Sequence, residues 1–303
     1  MAKPASFWPH PVTPTYETGE IALWQVDCLA WLEKADTNSV DLVLTDPPYF
    51  IDRMDQHWDR AQLATSSSKA LTVGRLPVGM KFDPEQGKNL QRFLEPIFKE
   101  CLRVLKPGGF LISFSQARLL HRMALAAEEA GFEIRDMLGW TYKGQAKAFS
   151  QEHFVRKMKI TEDEKNSLIK KLAGRKTPQL LPMIEPMVLG QKIKEGTNIE
   201  NWLKHGVGLI DTSIKYDDQF PGNLMEAAKP SQKEKGVGND HMTVKPQKVL
   251  QHLIKVFTRE GGVVLDPFCG SGSTMVAAQA TDRVGLGIEK EIEHINIAKT
   301  RLT

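Results

Sequence analysis

At 303 residues and 41% hydrophobic, the chain is long enough to bury a sizeable core, and its composition excludes wholesale disorder. Forty Lys and Arg against 37 Asp and Glu leave a net charge of +3, which permits a nucleic-acid partner without demanding one. Cys28, Cys101 and Cys269 are widely separated with no CxxC spacing, so neither a disulfide framework nor a metal site is expected. No apolar run approaches bilayer length, and MAKPASFWPHPVTPTYETGE lacks the apolar region of a secretory signal. The expectation is a cytoplasmic protein with no membrane association.

Residues 1–20 are rich in Pro and Thr and read as an arm. IALWQVD then predicts a short strand ending at Asp27, CLAWLEKA a helix, and DTNSVDLVLTDPPY a turn and a second strand. From Phe50 to about residue 86 periodicity is lost, and a loop of that length is usually functional. NLQRFLEPIFKECLRVL predicts a helix that stops at Lys106-Pro107-Gly108-Gly109, before the strand FLISFS. ARLLHRMALAAEEAGF predicts a helix closed by Gly131, and FEIRDMLGWTYK a strand. This alternation argues for a mostly parallel sheet.

Between about 144 and 180 the alternation breaks, with Thr161 to Glu164 reading as a capping box. IEPMVLGQK returns as a strand near 184–192, and the polar stretch 191–240 reads as irregular. The last part restores order: helix PQKVLQHLIKVFT, strand GGVVLDPF, helix STMVAAQAT, strand RVGLGIE and helix EIEHINIAKTRL.

GGVVLDPFCGSGST joins a strand, a Gly-rich turn and a helix start, the arrangement of a nucleotide-type site. Gly270 and Gly272 let the backbone turn beside a ligand, and Ser273-Thr274 are read as capping the helix. A dinucleotide fingerprint would need a further Gly where Met275 stands, and a P-loop would need Gly-Lys-Ser/Thr. Asp266 before the turn would repel a pyrophosphate but could hold an amino group. A ligand with a charged amino-acid end and a nucleoside end, such as S-adenosylmethionine (AdoMet), fits. Glu289, ending the next strand about twenty residues on, is placed to accept ribose hydroxyls. Asp27 either contacts the adenine of such a ligand or caps the helix that follows it.

Asp46-Pro47-Pro48-Tyr49 ends the second strand. The exocyclic amine of adenine or cytosine is a poor nucleophile, because its lone pair is drawn into the ring. Two acceptors for its N–H bonds would release that lone pair: the Asp46 carboxylate and a backbone carbonyl, most simply that of Pro47. The prolines hold this pair rigid. Tyr49 offers a ring on which an extruded base stacks. A turn with an aromatic plugging the core is the plainer alternative.

Together, Asp46-Pro47-Pro48-Tyr49 and Asp266-Pro267-Phe268-Cys269-Gly270-Ser271-Gly272 resemble the amino-directed, AdoMet-dependent DNA methyltransferases. Their order is similar to the β class, and Pro178 to Lys192 and Lys204 to Gly208 resemble phage-like members. Val26 to Leu29, Leu105 to Gly109 and Trp140 to Lys143 also match that class, the last with one extra residue. The resemblance implies an α/β fold: a circularly permuted, Rossmann-like class I methyltransferase sheet, mostly parallel with one antiparallel strand and an inserted irregular target-recognition region. It implies an arm at 1–20, a catalytic half at 21–143, a recognition region at 144–240 and an AdoMet-binding half at 241–303. Cofactor-binding residues are then Asp27, Asp266, Pro267, Phe268, Gly270, Gly272, Ser273 and Glu289. His241 to Pro246 resembles the family's His-Pro-Thr-x-Lys-Pro, so Thr243 and Lys245 are implied to hold the methionine end.

Asp before the prolines favours adenine N6 in duplex DNA, with cytosine N4 the alternative. No Cys has the context for carbon-5 methylation. A catalytically silent DNA-binding protein and a protein or RNA methyltransferase are the other classes considered. Lys157, Lys159, Lys170, Lys171, Arg175 and Lys176 are candidate phosphate contacts, and His57, Trp58 and Arg60 candidate contacts to a flipped base. The resemblance also implies a homodimer and, in a restriction–modification setting, a cognate endonuclease.

Overall fold

A computed structural model describes residues 8–49, 84–144, 148–178, 180–236 and 244–303. It contains two compact units, Met1–Trp140 with Glu185–Thr303, and Thr141–Ile184. The larger unit opens with β1 (Tyr16–Thr18) and β2 (Ile21–Gln25), which pair antiparallel. The expected arm is therefore built into the fold from Trp8 onward. Trp8 and His10 are buried, and His10 stacks on Trp31 with ring centroids 4.5 Å apart. Trp24 Nε1 donates to the Val12 carbonyl at 2.8 Å. Large aromatic surface gains more from burial than a Pro-rich segment loses by being ordered, which Pro and Thr content alone does not reveal.

Asp27 caps α1 (Cys28–Leu32) by accepting from the backbone of Leu29 and Ala30. β3 (Val40–Thr45) is buried along its whole length, as its unbroken apolar run requires. α2 (Pro84–Val104) starts earlier than its periodicity suggests and leads into β4 (Leu105–Phe114). Lys106 to Gly109 is thus no free turn. Val40 pairs with Leu105 and Leu42 with Phe110, so the Pro-Gly-Gly segment is extra length accommodated as a bulge inside β4. Buried Asp41 fixes this corner: Lys106 Nζ lies 3.0 Å from its carboxylate, which also accepts from the Val263 backbone at 2.8 Å.

After β4 come α3 (Leu120–Glu129) and β5 (Glu133–Thr141). The smaller unit holds α4 (Glu152–Arg156) and α5 (Glu162–Lys171). α5 has the expected capping box between Thr161 and Glu164. β6 (Ile184–Gln191) runs antiparallel to β4. The stretch beyond is more ordered than its composition suggests, with α6 (Asn198–His205), β7 (Leu224–Glu226) and α7 (Gln232–Lys235), and it belongs to the larger unit. α8 (Gln247–Phe257), β8 (Val263–Asp266), α9 (Ser273–Gln279), β9 (Val284–Glu289) and α10 (Ile292–Leu302) complete the chain.

The nine strands form one sheet in the order β1-β2-β9-β8-β3-β4-β6-β5-β7. β2, β9, β8, β3 and β4 run parallel. From β3 the chain moves one way, to β4; from β8 it moves the other, to β9. The boundary between β3 and β8 is therefore the switch point of an open α/β sheet, where ligands bind beyond the carboxyl ends of the strands. This is the permuted, mostly parallel architecture expected of a class I methyltransferase.

Candidate active site

The two motifs that lie 220 residues apart in the chain end adjacent strands. Leu42 pairs with Val264 and Val43 with Leu265, and just beyond this register Thr45 Oγ1 donates to Asp266 Oδ1 at 2.7 Å. That buried hydrogen bond joins the strand end before Asp46 to the acid that opens the glycine turn. Asp266 also accepts from the Phe268 backbone at 3.1 Å. Burial nevertheless pushes its carboxyl up to about 6, against the pull of Thr274, Thr45 and the Phe268 N–H. A carboxyl kept there at such a cost is suited to a cationic group of a ligand.

The glycine turn has the backbone that its sequence demands. Gly270 and Gly272 have φ of +51° and +81°, and a Cβ on Gly272 would stand 2.8 Å from the Cβ of Ala298. Gly272 is the N-cap of α9 and no side chain caps that helix, so the expected Ser273-Thr274 cap is replaced by the turn itself. Ser273 Oγ instead accepts from Arg301 at 3.1 Å, and the same guanidinium donates to the Ser271 carbonyl at 2.7 Å. Pro267 is buried, and Phe268 packs 5.9 Å from Phe93.

Glu289 ends β9 beside this turn. Its Oε2 accepts from the Gly270 backbone at 2.9 Å, and its Oε1 accepts from Glu291 N at 2.8 Å and lies 3.6 Å from His294 Nδ1. Burial pushes this carboxyl up, but His294 and the two backbone N–H groups outweigh it and hold it below the ordinary range. Glu289 therefore stays an anion with acceptor capacity, which suits a pair of hydroxyls. Asp27 stands one strand further along, at the end of β2, next to β9. The acidic ends of adjacent strands and the tight glycine turn fit a ligand with a cationic amino-acid end and a nucleoside end.

At the Asp46–Tyr49 motif, both oxygens of Asp46 are engaged. Tyr49 Oη donates to Oδ1 in a short hydrogen bond, and Lys245 Nζ lies 2.6 Å from Oδ2. Tyr49 is buried, and its carbonyl accepts from Gln86 of α2 at 3.0 Å; Gln86 is in turn held by Arg118 at 2.7 Å. Lys245 also lies 2.6 Å from Glu185 Oε1 and 5.1 Å from the centre of the Phe114 ring. Burial works against its charge, but Asp46 and Glu185 more than offset this and hold its pKa above the ordinary value.

Lys245, expected to hold the methionine end of the cofactor, is thus placed on the Asp46 carboxylate, a position its sequence context alone does not define. Thr243, His57, Trp58, Arg60 and Phe50 lie outside the described residues. Glu185, Gln86, Arg118, Thr45, His294 and Arg301 complete the surroundings, and apart from Glu185 nothing in the sequence singles them out as site residues. Only Glu185 has a signal there, as the Glu of the segment that resembles phage-like members.

In the smaller unit, Lys157, Lys159, Lys170, Lys171, Arg175 and Lys176 are all exposed, and none forms an ion pair among the described residues. Ser150 bridges Lys176, and Phe149 and Thr177 exchange hydrogen bonds at 3.1 Å, closing the unit around its two helices. Among the described residues there is no metal-binding cluster, and no helix is long and apolar enough to cross a membrane.

A mostly parallel sheet with an acid-Pro-Pro-aromatic strand end beside a glycine turn defines a fold of class I methyltransferase type. The profile of the DNA methylase family, covering N6 and N4 methyltransferases, matches residues 40–300, and the chain belongs to that family. It is 29% identical to the type II methyltransferase M.HindIII of Haemophilus influenzae, over 92% of this chain and 94% of that one. It is 25% identical to the type II methyltransferase M2.DpnII of Streptococcus pneumoniae, over 95% and 92% of the two chains. The solved PvuII DNA methyltransferase, described as cytosine-N4-specific, shares the fold with a TM-score of 0.63 at 18% identity, over 97% of this chain and 90% of that one.

Proposed function

We propose that this protein is a site-specific DNA methyltransferase that transfers a methyl group from AdoMet to adenine N6 of an extruded base in duplex DNA. Family membership supports the reaction, and full-length similarity to two type II methyltransferases supports DNA as substrate. The observation that carries the reading is Asp46 held at the end of β3, beside the Asp266 turn, with its geometry fixed by Pro47 and Pro48. AdoMet supplies the electrophilic methyl group. Asp46 and the Pro47 carbonyl accept the two N–H bonds of the amine, so its lone pair is freed toward the methyl carbon. Tyr49 packs on the base. The Asp266 carboxylate takes the amino end of the cofactor and Glu289 the ribose hydroxyls, with Pro267, Phe268, Gly270, Gly272 and Ser273 forming the wall between them. Asp27 lies at the adenine side, and its capping of α1 orients it there.

In this reading Thr141–Ile184 is a DNA-contacting element whose exposed cations meet phosphates, which gives affinity without sequence choice. A cytoplasmic location, expected from the cysteine spacing and composition, and a homodimer and a cognate endonuclease, which rest on the family resemblance, belong to the same proposal.

The test is transfer from labelled AdoMet to a panel of duplex DNA, RNA and protein. Label is expected in DNA alone. Asp46→Ala is expected to abolish it, at least a hundredfold, while circular dichroism and AdoMet affinity stay unchanged. Full activity in Asp46→Ala would refute the assigned chemistry, and N4-methylcytosine as the product would replace adenine by cytosine.

A further inference from the structure

β6 is antiparallel to its neighbour, so its first residues lie at the sheet end where the parallel strands finish. Phe114, the last residue of β4, pairs with Met187, and Ser115 N donates to the Pro186 carbonyl at 2.9 Å. This places Glu185 beside the catalytic motif although it is 139 positions from Asp46 in the chain. Lys245 Nζ bridges the two carboxylates at 2.6 Å to each, with its side chain only 6% exposed.

We propose that Glu185 is a positioning residue for methyl transfer: it balances Lys245 and so leaves Asp46 with a net negative charge to offer the target amine. The inference rests on the methyltransferase reading above and assigns a role to a residue outside the Asp46–Tyr49 and Asp266–Gly272 motifs. Asp46, Lys245 and Glu185 together carry one net negative charge. As the amine nitrogen bonds to the methyl carbon and the sulfur–carbon bond breaks, positive charge moves from sulfur to nitrogen, which then releases a proton to water. A net anion beside that nitrogen stabilises the developing charge, and in a water-poor site the effect is large. Without Glu185 the Asp46–Lys245 pair is neutral, and the nitrogen faces no net charge.

Burial makes this balance consequential. A buried cation must be paired, and with a single partner Lys245 would grip Asp46 alone. Burial, with the nearby Asp46, holds the carboxyl of Glu185 above its ordinary value against the pull of Lys245, so its anionic form depends on that cation, and Lys245 itself is held cationic by both neighbours.

The test is single-turnover transfer from labelled AdoMet to bacteriophage lambda DNA grown without host methylation, with AdoMet affinity read separately by calorimetry. Glu185→Gln is expected to slow transfer at least tenfold while the AdoMet Kd changes less than threefold. The double variant Glu185→Gln/Lys245→Met, which restores one net negative charge, is expected to run at least threefold faster than Glu185→Gln. A merely structural role would make the two losses compound. Wild-type speed in Glu185→Gln, or a double variant no faster than that single one, would overturn the proposal. A wild-type protein that methylates no DNA would refute the underlying activity instead.

Discussion

At the scale of single residues, Asp266 is a buried carboxyl whose ionisation costs stability. Its folded carboxyl holds a proton to about pH 6, whereas an aspartate in an unfolded chain releases it near pH 4. The folded state binds more protons between those values, so stability falls as pH rises through that window and the deficit persists at neutral pH. Asp266→Asn removes the buried charge while keeping an acceptor for Thr45. It should be more stable than the wild type at pH 7, by on the order of 2–3 kcal/mol, and close to it at pH 4. Denaturant titrations at the two pH values measure this, and a stability difference independent of pH would contradict it. Such a gain should be accompanied by weaker AdoMet binding, since the carboxylate is assigned to the ligand's cationic end.

The same scale shows what one-dimensional reading can and cannot reach. Asp46 to Tyr49 and the Gly270–Gly272 turn were legible because their residue types carry their chemistry locally. Gln86 and Arg301 were not, since each meets the site only through a neighbour that the fold brings from elsewhere, and Glu185 had a family-like segment around it but no sign of its partner Lys245. Arg118, just before α3, holds Gln86 of α2, which in turn holds the Tyr49 carbonyl, and no spacing in the chain encodes that network.

Among the elements, the strands and most helices followed from periodicity, and the misreadings have a common cause. Lys106 to Gly109 has the composition of a helix stop and does end α2, yet Val40 pairing with Leu105 pulls the same residues into β4. Tertiary pairing overrode a local turn signal there, as buried aromatics overrode a Pro-rich start at β1. The turn before α9 is the element most exposed to substitution. Gly272→Ala places a Cβ at φ +81° and within 2.8 Å of Ala298. It should cost roughly 1–3 kcal/mol of stability and weaken AdoMet binding at least tenfold. A variant with unchanged melting temperature and affinity would show that the turn tolerates what its geometry forbids.

For the whole molecule, the proposed function assigns the chemistry to the sheet and DNA affinity to a small unit that carries exposed positive charge. The mild net charge of +3 concealed this, because the cations are concentrated over a short stretch. Replacing Lys170 and Lys171 by Ala should weaken binding to duplexes of any sequence alike. It should also flatten the plot of log affinity against log salt by about 0.9 for each phosphate left unneutralised, without changing the methylated sequence. Fluorescence anisotropy over a salt series measures the slope, and an unchanged slope would remove these residues from the DNA interface.

The central claim, that the paired strand ends of β3 and β8 methylate adenine N6 in DNA, is tested most directly by modification-sensitive sequencing. The DNA would come from cells lacking their own adenine methylation and expressing either this protein or its Asp46→Ala variant. N6-methyladenine is expected in one defined sequence context with the wild type and none with the variant. N4-methylcytosine, or DNA unmodified by the wild type, would contradict it.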